Sequence, residues 1–148
     1  MHLPAFNNEG DLPEGLYPAT LEEVLHRFGV STLRRRRVYQ RLVEIHRVAK
    51  ATAHLDRFIV FGSFVSRKAD PNDVDILLVM RDDFELSACA GETRKLFNHA
   101  EAEAEFGASI FWIRPSMLVL DTLEDFILHW QIKRDLGRRG IVEVMDDT

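Results

Sequence analysis

The sequence predicts an α/β (α+β) fold, a small central sheet flanked by helices. Three observations carry the prediction. Segments of helical and strand character follow one another as helix, helix, strand, strand, helix, strand, helix, the alternation expected when helices cover a sheet. The run from Ile76 to Met80 shows no apolar–polar alternation, so both faces of that strand require cover. The chain has 148 residues, 46% of them hydrophobic and 29% charged, enough for one domain with a sizeable core and incompatible with wholesale disorder.

The elements follow in order. Residues 1–19 hold Pro4, Pro13 and Pro18 with Gly10 and Gly15, which predicts an irregular arm. Its Leu3, Phe6, Leu12, Leu16 and Tyr17 give it enough apolar area to dock on the body. Thr20-Leu21-Glu22-Glu23 has the form of a capping box, so a helix starts there and stops at Gly29. Ser31 or Thr32 caps a second, longer helix reaching about Thr52, with Val38, Leu42, Ile45 and Ala49 on one face. Residues 58–61 form a strand broken by Gly62-Ser63; residues 64–69 form a brief helix ended by Asp70-Pro71; residues 74–80 form a second strand. Residues 91–106 read as one helix with Leu96, Phe97, Ala100 and Ala104 inward, stopped by Gly107, and residues 108–113 as a third strand. Residues 121–130 read as a helix with Leu123, Phe126, Ile127 and Trp130 on one stripe. Residues 131–134 and 141–145 are expected to pair as a hairpin closing the chain.

Charge and targeting narrow the function. Nineteen Lys and Arg against 24 Asp and Glu give a net charge of −5, which excludes a basic nucleic-acid coat protein and confines any nucleic-acid contact to a local patch. Met1-His2-Leu3-Pro4 offers neither the basic region nor the apolar core of a signal peptide. No run is long enough to span a membrane. The single cysteine, Cys89, forms no internal disulfide, which fits a cytoplasmic location without membrane partners.

The informative stretch runs from Phe61 to Met80. Asp73 and Asp75 are two apart at the start of a strand, so their carboxylates share a face. Like charges that close repel, and a divalent cation resolves the conflict; hard oxygen ligands at this spacing suit Mg²⁺ or Mn²⁺ beside substrate phosphates. Gly62 permits a tight turn and a close approach to the backbone. Ser63 can cap the short helix after it, whose free N–H groups attract an anion, and Arg67 and Lys68 add positive charge just beyond. A phosphate cradle and a metal-holding pair separated by one connection describe a site for a metal-bound polyphosphate.

That segment, Gly62-Ser63 followed by a spacer and Asp73-x-Asp75, resembles the signature of the DNA polymerase beta-type nucleotidyltransferase superfamily. Nearly the whole chain is similar to a family of small uncharacterised proteins built on that fold. The shared pattern includes Leu12-Pro13-Glu14-Gly15, Arg27-Phe28-Gly29, Gly62-Ser63-Phe64-Val65, Pro71-Asn72-Asp73-Val74-Asp75, Trp130, Arg134 and Gly140-Ile141-Val142. The resemblance implies a small mixed central sheet and transfer of a nucleoside monophosphate from a nucleoside triphosphate to a hydroxyl acceptor, which could be RNA, protein or a small molecule. It implies that Gly62 and Ser63 hold the phosphates and that Asp73 and Asp75 coordinate Mg²⁺. It also implies a third carboxylate on the next strand, and the matching position is Ser109. Serine replaces neither a general base nor a strong Mg²⁺ ligand. Three explanations stay open: Glu105 or Asp121 reaches the site, the substrate or a partner chain (a second protein or a copy of this one) supplies the acid, or the protein binds nucleotide with little transferase activity, as in a toxin–antitoxin component with a degenerate site.

The remaining features have plainer readings. Arg34 to Arg37 span one helical turn and are either a solvated helix start or a local phosphate or RNA contact. His26, His46, His54, His99 and His129 show no metal-ligand spacing, and Cys89 has no base partner in the sequence. Glu101, Glu103 and Glu105 form a solvated face, and Trp112 and Trp130 belong to the core. Lys133, Arg134, Arg138 and Arg139 either line a phosphate-facing edge or decorate an exposed turn.

Overall fold

The computed structural model describes residues 3–146. A mixed five-stranded sheet carries five helices, an α/β fold. Strand β1 (Leu16–Thr20) leads directly into helix α1 (Leu21–Phe28), and Thr20 serves both. Its hydroxyl accepts from the Glu23 N–H at 3.2 Å and its own N–H donates to the Glu23 carboxylate at 3.0 Å, the reciprocal capping box that the sequence predicts. Gly29 ends α1 by donating to the Leu25 carbonyl. Thr32 caps α2 (Leu33–Ala51), whose Val38, Leu42, Ile45 and Ala49 are all buried. Strands β2 (Leu55–Phe61) and β3 (Val74–Met80) follow, then α3 (Gly91–Leu96), α4 (His99–Phe106), β4 (Ala108–Ile113), α5 (Leu123–Leu128) and β5 (Ile141–Met145).

The strand order is β1-β5-β2-β3-β4. β2 runs antiparallel to both β3 and β5, while β1 pairs parallel with β5 and β3 parallel with β4. Side-chain alternation sorts the sheet into two faces. Phe58, Val60, Ile76, Leu78, Ala108, Ile110 and Val142 point into a core shared with α1, α2 and α4. Ile59, Leu77, Val79, Ile113 and Ile141 point into a second core closed by Ile127 of α5, with Leu123, Phe126 and Trp130 packed against it as the predicted stripe requires. Every residue from Ile76 to Met80 is buried, as expected of a strand covered on both faces. Among the described residues no helix is long and apolar enough to cross a membrane.

Four local expectations are corrected. The arm is not irregular throughout, because its last residues form β1; Pro18 is tolerated because β1 is an edge strand, where a missing N–H leaves no ladder bond broken. The terminal hairpin does not form: β5 takes β1 and β2 as partners, which buries Ile141 and Val142 between them, and residues 131–140 keep only one isolated bridge, Ile132 to Arg138. The helix expected over residues 64–69 is a single 3₁₀ turn, Ser63–Val65, since Ser66 turns extended and Arg67 N–H bonds to the Gly10 carbonyl of the arm instead. The helix expected over residues 91–106 is two helices. Asn98 caps a fresh start by accepting from the Glu101 N–H, and this break changes the phase. Leu96 and Phe97 face inward as expected, but Ala102 and Phe106 replace Ala100 and Ala104.

Candidate functional site

The end of the sheet where β2 finishes and β3 begins gathers the predicted residues. Asp75, second in β3, pairs with Phe61 on one side and with Ser109 of β4 on the other. Asp73 lies just before the strand, and Ser109 Oγ donates a long hydrogen bond, 3.5 Å, to its Oδ2. These three line a cleft of about 470 Å³. The rest of the lining is mostly cationic, with Lys68, Lys133, Arg134 and Arg139 beside Ser63, Asn72 and one further carboxylate, Asp135.

Asp75 is half-buried, and its carboxyl is pushed up to about 6. Burial is the larger cause and the charge of Asp73 the next, while Arg139, Ser109 and Arg134 pull in the other direction. The repulsion that the sequence spacing predicts is thus present in the geometry. Gly62 stands against the same carboxylate. Its backbone adopts φ +84°, ψ −164°, and a Cβ there would lie 2.0 Å from Asp75 Oδ2. The close approach that the sequence assigns to Gly62 is therefore made by Asp75 itself.

The predicted phosphate cradle is altered in character. One 3₁₀ turn of three residues has too few aligned peptides to supply a helix-dipole site, so positive charge at the cleft comes from side chains. Lys68 is among them. Arg67 lies next door, in a second hollow of about 340 Å³ that shares Ser63, Lys68, Lys133 and Arg139 with the first. Of the late basic cluster, Lys133, Arg134 and Arg139 line the cleft, whereas Arg138 reaches out to Glu14. The third-acid alternatives within the strand's surroundings fall away. Glu105 is paired with Lys95 at 3.2 Å and Asp121 is exposed. Asp135, which the sequence does not flag, does line the cleft, but its carboxylate accepts from the Gly137 N–H, and among the described residues no group of three or more His, Cys, Asp and Glu side chains is placed to hold a metal.

A family model, described as a family of unknown function (DUF6932), matches residues 4–145 and so spans the whole cleft. The chain belongs to the DUF6932 family. No curated protein and no solved structure gives a significant match.

Two further residues of the DUF6932 chain hold the cleft in shape, and neither is legible as such in the sequence. Arg35, one of four consecutive arginines, is buried at 3% exposure rather than solvated. Its guanidinium donates to the carbonyls of Phe28 (3.0 Å), Phe64 (2.7 Å), Ser66 (2.7 Å) and Lys68 (2.5 Å), which pins the loop that follows Gly62 onto α2. Burial lowers its pKa, partly offset by Asp70. Asp11 of the arm is the second. It is buried, and its carboxylate accepts from Lys133 Nζ at 2.9 Å and Arg139 Nη1 at 3.4 Å, fixing two of the four cleft cations. The sequence does flag the basic partners; nothing in it singles out Asp11, 122 positions away from Lys133.

Proposed function

We propose that the DUF6932 chain is a nucleotidyltransferase-like protein that transfers a nucleoside monophosphate from a nucleoside triphosphate to a hydroxyl acceptor. The observation that supports this most is the meeting, in one cleft, of the Asp73–Asp75 pair, whose carboxylates repel each other, with four cations that a triphosphate would satisfy. The donor set fits one divalent cation of the Mg²⁺ class. Asp73 and Asp75 supply charged hard oxygens side by side, and a cation there would relieve the burial and repulsion that raise the Asp75 carboxyl. Two carboxylates do not balance two dications, so the fit is to one. When bound, the cation would draw charge from the phosphate oxygens. The chain's own contribution is positioning and electrostatics. Lys133 and Arg139, held by Asp11, together with Lys68 and Arg134 would offset the triphosphate charge. The acceptor oxygen forms a bond to the α-phosphorus as the bond to pyrophosphate breaks. The acceptor's proton passes to solvent water, because position 109 is a serine and no base at neutral pH.

The test is label transfer. Purified protein is incubated with α-labelled nucleotides, Mg²⁺ or Mn²⁺, and pools of RNA, protein and small-molecule hydroxyls. Transfer is expected and should vanish in Asp73→Ala/Asp75→Ala; label undiminished in that variant overturns the assignment. Ser109 favours a second reading, a nucleotide-binding regulatory protein without turnover, as in a toxin–antitoxin pair. Under that reading the wild type binds nucleotide without transfer and Ser109→Asp gains it, whereas robust wild-type turnover removes it.

A further inference from the structure

The four arginines at the start of α2 divide into those the fold uses and those it does not. Arg35 is buried in its carbonyl cage, and Arg36 donates to the Val30 carbonyl at 3.3 Å. Arg34 and Arg37 are exposed, and so is Arg41 one turn on. Positions 34, 37 and 41 are three and four apart, so they form one row about 10 Å long on a single face. Among the described residues none of the three is in an ion pair. The first turn of α2 contains no acidic residue, so Arg34 opposes the helix dipole, and the three charges oppose one another.

The row starts at the cleft and leads away from it. Arg34 Nη1 donates to the side chain of Asn72, a cleft-rim residue, at 3.4 Å. Arg37 and Arg41 line a groove of about 490 Å³ between α2 and the end of α4. The Arg41 guanidinium lies over Gly107, two residues before Ser109. Two acids also line this groove, yet both are engaged elsewhere: Glu44 with Arg47, and Glu105 with Lys95. The groove is thus left with uncompensated arginine charge on a protein whose net charge is −5. It offers no exposed aromatic anchor of the kind that protein partners use, and Arg is the side chain whose planar fork fits phosphate.

The geometry points to Arg34, Arg37 and Arg41 as a track for the phosphodiester backbone of a single-stranded nucleic acid whose end enters the cleft as acceptor. The track itself stands on the arginines alone; only the acceptor role rests on the proposed function.

The experiment is fluorescence anisotropy with an end-labelled 20-nucleotide oligouridylate, from low to moderate NaCl, on the full chain and on Arg34→Gln/Arg37→Gln/Arg41→Gln. The wild type should bind with a salt slope steeper than the variant's by about 2, from roughly 0.7 per phosphate for three phosphates on a single strand. At low salt the variant should lose at least tenfold in affinity. It should keep the wild-type melting temperature and the stabilisation by nucleoside triphosphate with Mn²⁺. Arg→Lys at the three positions should retain most of the slope. Absence of binding by the wild type, equal slopes in the two proteins, or competition by polyglutamate as effective as by unlabelled RNA of equal charge overturns the track; the last result assigns the row to an acidic polypeptide. Arginine-dependent RNA binding without label transfer leaves the track standing and removes the acceptor role. Transfer to a small molecule without RNA binding removes the track and the acceptor role with it, and leaves the proposed function standing.

Discussion

Replacing Gly62 by alanine isolates the contact on which the cleft is built. Two separate costs apply. The backbone at φ +84°, ψ −164° lies in a region open almost only to glycine, and holding an L-residue there costs of order 1–3 kcal/mol. The new Cβ would also meet Asp75 Oδ2 at 2.0 Å and Asp75 Cγ at 2.9 Å, so the carboxylate has to swing out of its position beside Asp73. Together these predict a loss of about 2–4 kcal/mol, which for a chain of this size lowers the melting temperature by about 5–15 °C. Gly91 provides the control. Its φ is also positive, +60°, but a Cβ there meets nothing within 4 Å, so Gly91→Ala carries the backbone cost alone, about 1 kcal/mol. Thermal unfolding followed by circular dichroism measures both. A double-mutant cycle separates the two terms at position 62: in an Asp75→Ala background the overlap is gone, and Gly62→Ala should cost at least 1 kcal/mol less than in the wild type. Should Gly62→Ala melt no lower than Gly91→Ala, or should the cycle show no coupling, the Gly62–Asp75 contact is not what shapes the cleft.

Two more predictions concern the carboxylate and its scaffold. Because the Asp75 carboxyl is raised to about 6 in the folded chain, the native state binds more protons than the unfolded state from about pH 4 upward, so stability falls as pH rises through 6. The fall is about 2–3 kcal/mol at most; Asp75→Asn should abolish it and be more stable than the wild type at pH 7.5 but not at pH 4, while Mn²⁺ should stabilise the wild type alone and chelation reverse this, all read from urea midpoints. Arg35→Lys puts one ammonium where a guanidinium serves four carbonyls, so at least two buried acceptors lose their donors; about 3–5 kcal/mol should go, and limited proteolysis should cut first within residues 62–73.

What the sequence reveals here is local. The capping box at Thr20, the stop at Gly107 and the covered strand β3 rest on patterns within eight residues, and each is found where the pattern puts it. The carboxylate pair is likewise a two-residue spacing. Pairing between distant segments is not legible in the same way. β1 escapes notice because Pro18 and the glycines around it outweigh its few strand formers; β5 is found where expected, but its partners are missed because a nearer basic segment offers itself as a hairpin partner. Arg35 is indistinguishable in sequence from its three neighbours; only the carbonyls of Phe64, Ser66 and Lys68, about 30 residues away, distinguish it. Asp11 is hidden for the same reason.

Serine at position 109 gains meaning from these energetics. Asp75 already carries the cost of burial and of its neighbour's charge, and the strand register puts residue 109 directly beside it. A third carboxylate there would add a second like charge to a half-buried pair before any cation arrives, in a cleft whose Lys133 and Arg139 are already shared with Asp11. A hydroxyl instead donates to Asp73 and eases the repulsion. Under the proposed function, the position exchanges capacity for a second dication for stability of the metal-free chain. The same substitution that should increase transfer, Ser109→Asp, should accordingly make folding more dependent on divalent metal, and the two effects should appear together in one protein: higher turnover with Mn²⁺ and a lower melting temperature in chelator. A variant that gains turnover with no loss of metal-free stability would break the link between charge crowding and the choice of serine.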